Sequence, residues 1–202
     1  MMEVYIRRLK AEDADALLDL RLRNRAFFEP YEPVRSDRDY AAEGIRDAID
    51  QDALHWERGS GYGFGIFLRD RDLDRNQDRD RHPARSRDPD RDRDRLIGRV
   101  NLSNVVRGAW ESCTVGYYMD REAGGRGYMT EALRQAVGFA FGQAGLHRVQ
   151  ASIMPRNQAS IRVVEKNGFR YEGLAEYYLK INGVWEHHSI YSLTREHLGH
   201  AT

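Results

Sequence analysis

Three glycines standing between an apolar strand pattern and an amphipathic helix pattern constrain this chain more than any other feature. Thr114-Val115-Gly116-Tyr117-Tyr118-Met119 reads as a strand with an internal glycine. Arg121-Glu122-Ala123-Gly124-Gly125-Arg126-Gly127-Tyr128 follows, and Leu133, Val137, Ala140 and Phe141 then recur at helical spacing. Without side chains at Gly124, Gly125 and Gly127, the backbone can turn tightly and aim successive N–H groups at one point, where the positive end of the helix adds its partial charge. Such a turn is an anion cradle that a diphosphate would fit. A plain strand-to-helix turn uses the same residues, and the stretch alone does not separate the two readings.

The rest of the chain sets the frame for that turn. Its length and apolar share suit one domain, residues 1–202, interrupted by a charged insertion at about 69–95. That insertion holds ten Arg and nine Asp, with Leu73 its one interior aliphatic residue. It has almost no apolar surface to offset backbone ordering, so it reads as a disordered loop. A docking tether for ribosome or RNA is the functional alternative to a passive insertion. The remainder carries 22 Lys+Arg against 23 Asp+Glu, which removes the basicity of a dedicated nucleic-acid binder. The single cysteine, Cys113, excludes an intrachain disulfide and a cysteine-based zinc site, so no metal is expected. As an acyl-carrying nucleophile it has no His or acid placed beside it. Met1 to Lys10 carries no secretory signal and no run approaches a membrane span, so a soluble cytoplasmic protein is expected.

Periodicity predicts a strand at Glu3–Leu9, a helix to about Phe28 and a second helix at Asp37–Glu57. Strands follow at Gly63–Leu68 and Leu96–Asn104, joined through the charged insertion, and at Ser112–Met119. A helix at Arg126–Ala144, a strand at Arg148–Ile153 and a helix at Asn157–Lys166 come next, the last closed by Gly168. Phe169–Leu179 and Val184–Leu193 pair around an Asn182-Gly183 turn.

Glu122 to Gly127, then Met154-Pro155-Arg156-Asn157-Gln158-Ala159-Ser160 and Glu165-Lys166-Asn167-Gly168-Phe169, stand in the order of an acetyl-CoA site, and the chain resembles the GNAT acetyltransferases. Phe28 to Arg35, Asn101 to Gly108 and Tyr178 to Trp185 look like the RimJ/RimL ribosomal-protein-alanine N-acetyltransferases, RimJ most closely. The resemblance covers nearly everything outside the insertion. It implies an α/β (α+β) fold, a mixed central sheet of about seven strands with helices on both faces and a splayed wedge for acetyl-CoA. It also implies direct acetyl transfer to a protein N-terminal amine, with a ribosomal protein as partner. Two positions depart: Glu122 stands where the family has Gln or Arg, and Val164 where many members have a tyrosine that protonates the departing thiolate.

On that resemblance, Val115, Gly116, Tyr117, Glu122, Ala123, Gly124, Gly125, Arg126, Gly127, Tyr128 and Asn157 hold acetyl-CoA, with Gly116 a suitable place for the bulge that opens the wedge. Asn157 has two compatible roles, cofactor contact and helix cap. The backbone N–H near Tyr117 or Tyr118 is the candidate for stabilising the oxyanion. Strand alternation places the two rings on opposite sides of the sheet, so one at most is expected in the cleft. Ser160 is the candidate contact for the thiol, and Glu111 or Glu176 for the base. An α-amine with a pKa of about 7.8 is partly neutral near neutral pH, whereas lysine at about 10.4 costs roughly 3.5 kcal/mol more to deprotonate, so an N-terminal substrate needs no tightly tuned base. His187 and His188 alternate to opposite faces and are read as structural. Tyr31, Glu32, Arg35 and Asn104 are the candidate acceptor contacts, Glu32 for an ammonium group. A polyamine-type N-acetyltransferase, favoured by a deep acidic pocket, and a non-catalytic acyl-CoA-binding or ribosome-assembly module are the alternatives.

Overall fold

The computed structural model describes residues 2–70 and 94–198. The elements are β1 (Met2–Arg7), α1 (Ala14–Arg23), α2 (Arg25–Phe28), α3 (Ala42–Arg58), β2 (Tyr62–Asp70), β3 (Arg95–Val106) and β4 (Ser112–Met119). They continue with α4 (Tyr128–Phe141), β5 (Arg148–Ile153), α5 (Gln158–Lys166), β6 (Arg170–Ile181), β7 (Val184–Thr194) and α6 (Arg195–Leu198). The open sheet runs β1-β2-β3-β4-β5-β7-β6, and only the β4–β5 pair is parallel.

Period-two alternation divides the apolar residues between two layers. On one face Ile66, Val100, Leu102 and Val115 pack with Val149, and with Leu133, Ala136, Val137 and Ala140 of α4 and Val164 of α5. On the other, Phe67 and Leu96 meet Leu17 and Leu20 of α1 and Ile45 and Ile49 of α3. Helices therefore cover both faces, as the resemblance implied.

Departures from the predicted boundaries have local causes. Gly127 takes φ 80°, so α4 begins at Tyr128 rather than Arg126. The helix predicted from Asp37 is a 3-10 turn at Asp37–Tyr40 followed by α3, because Ala41 is extended (ψ 149°). The first helix is interrupted at Asn24 (φ −107°, ψ 7°), whose side chain is committed elsewhere. Arg69, Asp70 and Arg95, read as insertion, lie in β2 and β3; residues 71–93 of that expected disordered loop fall outside the described residues.

Gly98 sits where β3 crosses the end of β4. A Cβ there would lie 2.5 Å from the Tyr118 carbonyl oxygen and 3.1 Å from the Met119 Cα. Gly98→Ala is expected to lower unfolding free energy by about 1–3 kcal/mol, read as a lower urea midpoint with unchanged slope.

Candidate active site

β4 and β5 pair only from Ser112↔Arg148 to Val115↔Ala151. Past Val115, β4 stays on β3 as far as Met119, while β5 stays on β7 as far as Ile153. The two strands part, and a wedge opens between them. The bulge expected at Gly116 is not there: the β3–β4 register runs unshifted from Gly98↔Met119 to Ser103↔Thr114, and its irregularity falls between Ser103 and Val106. Each strand simply follows its own antiparallel partner, and sheet twist separates them without an extra residue.

The unshifted register decides which backbone groups face the wedge. Asp120 N–H donates to the Ile97 carbonyl at 2.8 Å. Alternation then turns the N–H groups of Tyr118 and Gly116 toward β3 and those of Tyr117 and Met119 toward the wedge. Of the two oxyanion candidates, Tyr117 N–H faces the cavity and Tyr118 N–H does not.

A cavity of about 650 Å³ passes through the wedge. It gathers Gly116, Tyr117, Tyr118, Gly124, Gly125, Gly127, Asn157 and Ser160 with Tyr31, Glu32 and Arg35. Both tyrosines line it, contrary to the expectation that one at most would, because the cavity runs from one face of the sheet to the other. Val115 and Ala123 are buried in the core, and Glu122, Arg126 and Tyr128 stand outside the lining. Glu111 precedes β4 at the end away from the wedge, where its carbonyl accepts from the N–H groups of His147 and Arg148. Glu176 lies exposed in the irregular stretch of β6 between Ala175 and Leu179. Neither carboxylate lines the cavity. Asn104 (φ 51°) bonds Thr114 Oγ1, and Asn101 of the same strand lines the cavity in its place.

At the donor end, Gly125 (φ 75°) and Gly127 (φ 80°) adopt the left-handed conformation and lead into the first turn of α4, whose N–H groups have no helical acceptor. Arg121, Arg162 and Lys166 add positive charge to the lining. Asn157 caps α5 by accepting from Ser160 N at 3.1 Å through Oδ1, which leaves its Nδ2 as a donor for the cavity. These groups suit the phosphates and amides of acetyl-CoA.

The glycine turn is fixed from below by residues the sequence reading missed. Asp120, 1% exposed, caps the 3-10 turn at Arg121–Ala123 by accepting from Glu122 N. It also accepts from Arg23 Nη2 at 2.9 Å, Arg95 Nη2 at 2.8 Å and Asn24 Nδ2 at 3.3 Å. Asn24 Oδ1 in turn accepts from Arg121 N at 3.0 Å. Burial raises the Asp120 pKa, but the hydrogen bonds from Arg23, Arg95 and the Glu122 amide outweigh it and hold the carboxyl below its ordinary value. An aspartate closing a strand before a turn is a readable cap signal; its partners Asn24 and Arg23, at the end of α1, lie 96 and 97 residues away and are not.

A second group of lining residues centres on Glu32. Its Oε2 accepts from buried Arg21 at 2.9 Å and from Arg35 at 2.8 Å, while its Oε1 is buried and without a partner among the described residues. Arg21 also donates to Tyr118 Oη at 3.2 Å. Arg156 pins the same segment, donating to the Pro30 carbonyl at 3.2 Å and pairing with Glu186 at 2.7 Å. The Asn182 N–H reaches the Glu32 carbonyl from the β6–β7 turn.

Elsewhere, burial pushes the Cys113 thiol up to about 12 against the opposing Arg107 charge, which removes it as a nucleophile. His188 is buried with Nδ1 against the Glu186 carbonyl, and His187 Nδ1 accepts from Tyr177 N. Among the described residues no group of His, Cys, Asp or Glu could hold a metal ion, and no helix is long and apolar enough to cross a membrane.

Comparison with known proteins gives a consistent result. Residues 3–170 match the family described as acetyltransferase (GNAT) domain. Probable N-acetyltransferase YjcK of Bacillus subtilis (strain 168) is 39% identical over 190 residues, covering 94% of this chain and 93% of that protein. The [ribosomal protein uS5]-alanine N-acetyltransferase of Escherichia coli (strain K12) is 32% identical over 191 residues, 95% of this chain and 87% of that one. Among solved structures, ribosomal-protein-S5-alanine acetyltransferase from Vibrio fischeri superposes with a TM-score of 0.80 at 30% identity, over 96% of this chain and 93% of its own. Mycobacterium smegmatis RimJ in complex with CoA-disulfide gives 0.80 at 27%, over 96% and 83%.

Asp120→Asn is expected to weaken acetyl-CoA binding about tenfold and to cost about 1–3 kcal/mol of stability at neutral pH. Because the folded pKa is depressed, the carboxylate's contribution is present above the unfolded value of about 3.9 and fades as pH falls through the folded one. The stability gap between wild type and variant, measured by urea unfolding, should therefore close in acid.

Proposed function

We propose, on the premise that the chain belongs to the GNAT acetyltransferase family, that it transfers acetyl to a protein N-terminal α-amine, with N-terminal alanine of a small-subunit ribosomal protein as its acceptor. It is an acetyl-CoA-dependent N-acetyltransferase of the RimJ kind. A cytoplasmic setting, where such an acceptor is made, belongs to the same proposal.

The observation that carries the acceptor reading is the charge around Glu32. The carboxylates lining the cavity are Glu32 and Asp120, and that of Asp120 is taken up by Arg23, Arg95, Asn24 and the Glu122 amide. Glu32 carries the other carboxylate: its Oε2 is held by Arg21 and Arg35, and its Oε1 is unpaired but buried, so an amine meets it only once the side chain turns that oxygen to the cavity. That surrounding is net positive. It disfavours an ammonium ion and favours a neutral amine that donates one N–H to Oε1. An α-amine reaches this state readily; a lysine side chain, with a pKa of about 10.4, does not. A polyamine site would need the acidic pocket that is missing from this lining.

In this reading the neutral amine, held by Glu32, attacks the thioester carbonyl carbon in the wedge. Tyr117 N–H receives the developing oxyanion, and the C–S bond breaks with its electron pair going to sulfur beside Ser160. Glu111 and Glu176, away from the cavity, take no part. The similarity to the uS5-alanine N-acetyltransferase of Escherichia coli supports alanine and a ribosomal protein as acceptor.

CoA release measured with peptides beginning in Ala, Ser or Met, with Nα-blocked lysine peptides and with spermidine should be confined to free N-termini and fastest with Ala. Gly125→Glu should abolish it, and Glu32→Gln should raise the peptide KM about tenfold with little effect on the KM for acetyl-CoA. Turnover with spermidine alone would overturn the assignment.

A further inference from the structure

The two sides of the wedge are bridged by one pair of hydroxyls. Tyr117 stands on β4 with its ring packed against the core, and its hydroxyl reaches the first turn of α5. Ser160 Oγ donates to Tyr117 Oη at 2.8 Å, and Tyr117 Oη donates in turn to the Ser160 carbonyl at 3.2 Å. Both residues line the cavity. Val164, where many relatives carry a tyrosine, is fully buried and offers no hydroxyl from the helix. The phenol arrives from the strand instead.

As they stand, the Ser160 proton is engaged by Tyr117. Two hydroxyls in contact can exchange donor and acceptor roles by rotation about one C–O bond each, giving up only the longer contact to the Ser160 carbonyl. We infer that Tyr117 is a positioning residue for departure of the CoA sulfur: its O–H turns onto Ser160 Oγ, and the Ser160 O–H is thereby aimed at the leaving thiolate. The C–N bond forms, the C–S bond breaks with its pair on sulfur, and the proton shed by nitrogen restores the thiol. Neither hydroxyl gains or loses a proton overall. Burial, only partly opposed by the Ser160 hydrogen bond, pushes the Tyr117 hydroxyl up to about 12, so it remains a donor throughout.

The inference concerns the donor site alone and holds whichever amine is the acceptor. Its test needs no acceptor: the pKa of enzyme-bound, isotope-labelled CoA is titrated by NMR in wild type, Tyr117→Phe, Ser160→Ala and the double variant. Arg162 and Lys166, in the same lining, act on the thiol equally in all four. Wild type should hold the thiol below the value of free CoA titrated alongside, Tyr117→Phe should raise it by about half a unit and Ser160→Ala by at least as much. The double variant should match Ser160→Ala, because Tyr117 acts only through the serine. With an accepted amine, Tyr117→Phe should lower kcat about tenfold and change the acetyl-CoA KM by less than about twofold. Additive shifts in the double variant, or a bound thiol no more acidic than free CoA, would overturn the inference. So would a Tyr117→Phe loss that appears only in KM and melting temperature, the pattern of a packing role.

Discussion

The parting of β4 and β5 after four paired residues organises the molecule. A parallel pair inside an otherwise antiparallel sheet belongs to two blocks at once: β4 closes the β1–β4 block and β5 opens the β5-β7-β6 block. Each strand keeps full pairing on its outer side, so the gap costs few hydrogen bonds while turning the N–H groups of Tyr117 and Met119 toward the wedge. The same gap lets the cavity draw its lining from both sides of the sheet.

Charge is placed to match that geometry. Arg121, Arg162 and Lys166 line the cavity with the glycine turn, while Arg21 and Arg35 frame Glu32. Asp120 is the counterweight, a buried carboxylate that ties α1, β3 and the glycine turn into one unit through four neighbours. Removing one partner of such a hub leaves other buried groups unpaired, so its loss is felt well beyond one hydrogen bond. The path of the loop is tied to the hydrogen bonds beneath it, and its glycines permit that path.

Local signals in the sequence located most of this. The limits of β4 and β5 followed from alternation, and the stop of α5 from Gly168. The glycine turn, Asn157 and Ser160 were found by order along the chain, and the cavity brings them together. What escaped the reading depends on pairs remote in sequence. Asn24 breaks the first helix because its amide serves Asp120 and Arg121, and nothing within α1 announces that. Arg21 and Arg156 look like ordinary surface cations until the fold turns one onto Glu32 and the other onto Pro30 and Glu186. Glu111 and Glu176 carry the right chemistry, one just before β4 and one in β6, but a one-dimensional reading does not tell which end of β4 opens, nor that β6 is irregular where Glu176 stands. Gly116 was read as a bulge because strand glycines often mark one; here it keeps the wall of the cavity free of a side chain.

The ends of the hairpin that carries the Arg/Asp-rich segment are tied by Arg69 to Asp94 at 3.3 Å, with Leu68↔Arg95 as the last cross-strand pair. Residues 70 and 94, the last described before and the first described after that segment, therefore stand at neighbouring places on the domain. Arg95, on the re-entering strand, is also a ligand of Asp120. Any change of length at this junction is therefore coupled to the glycine turn, because the stem that carries Arg95 also supports Asp120 beneath it.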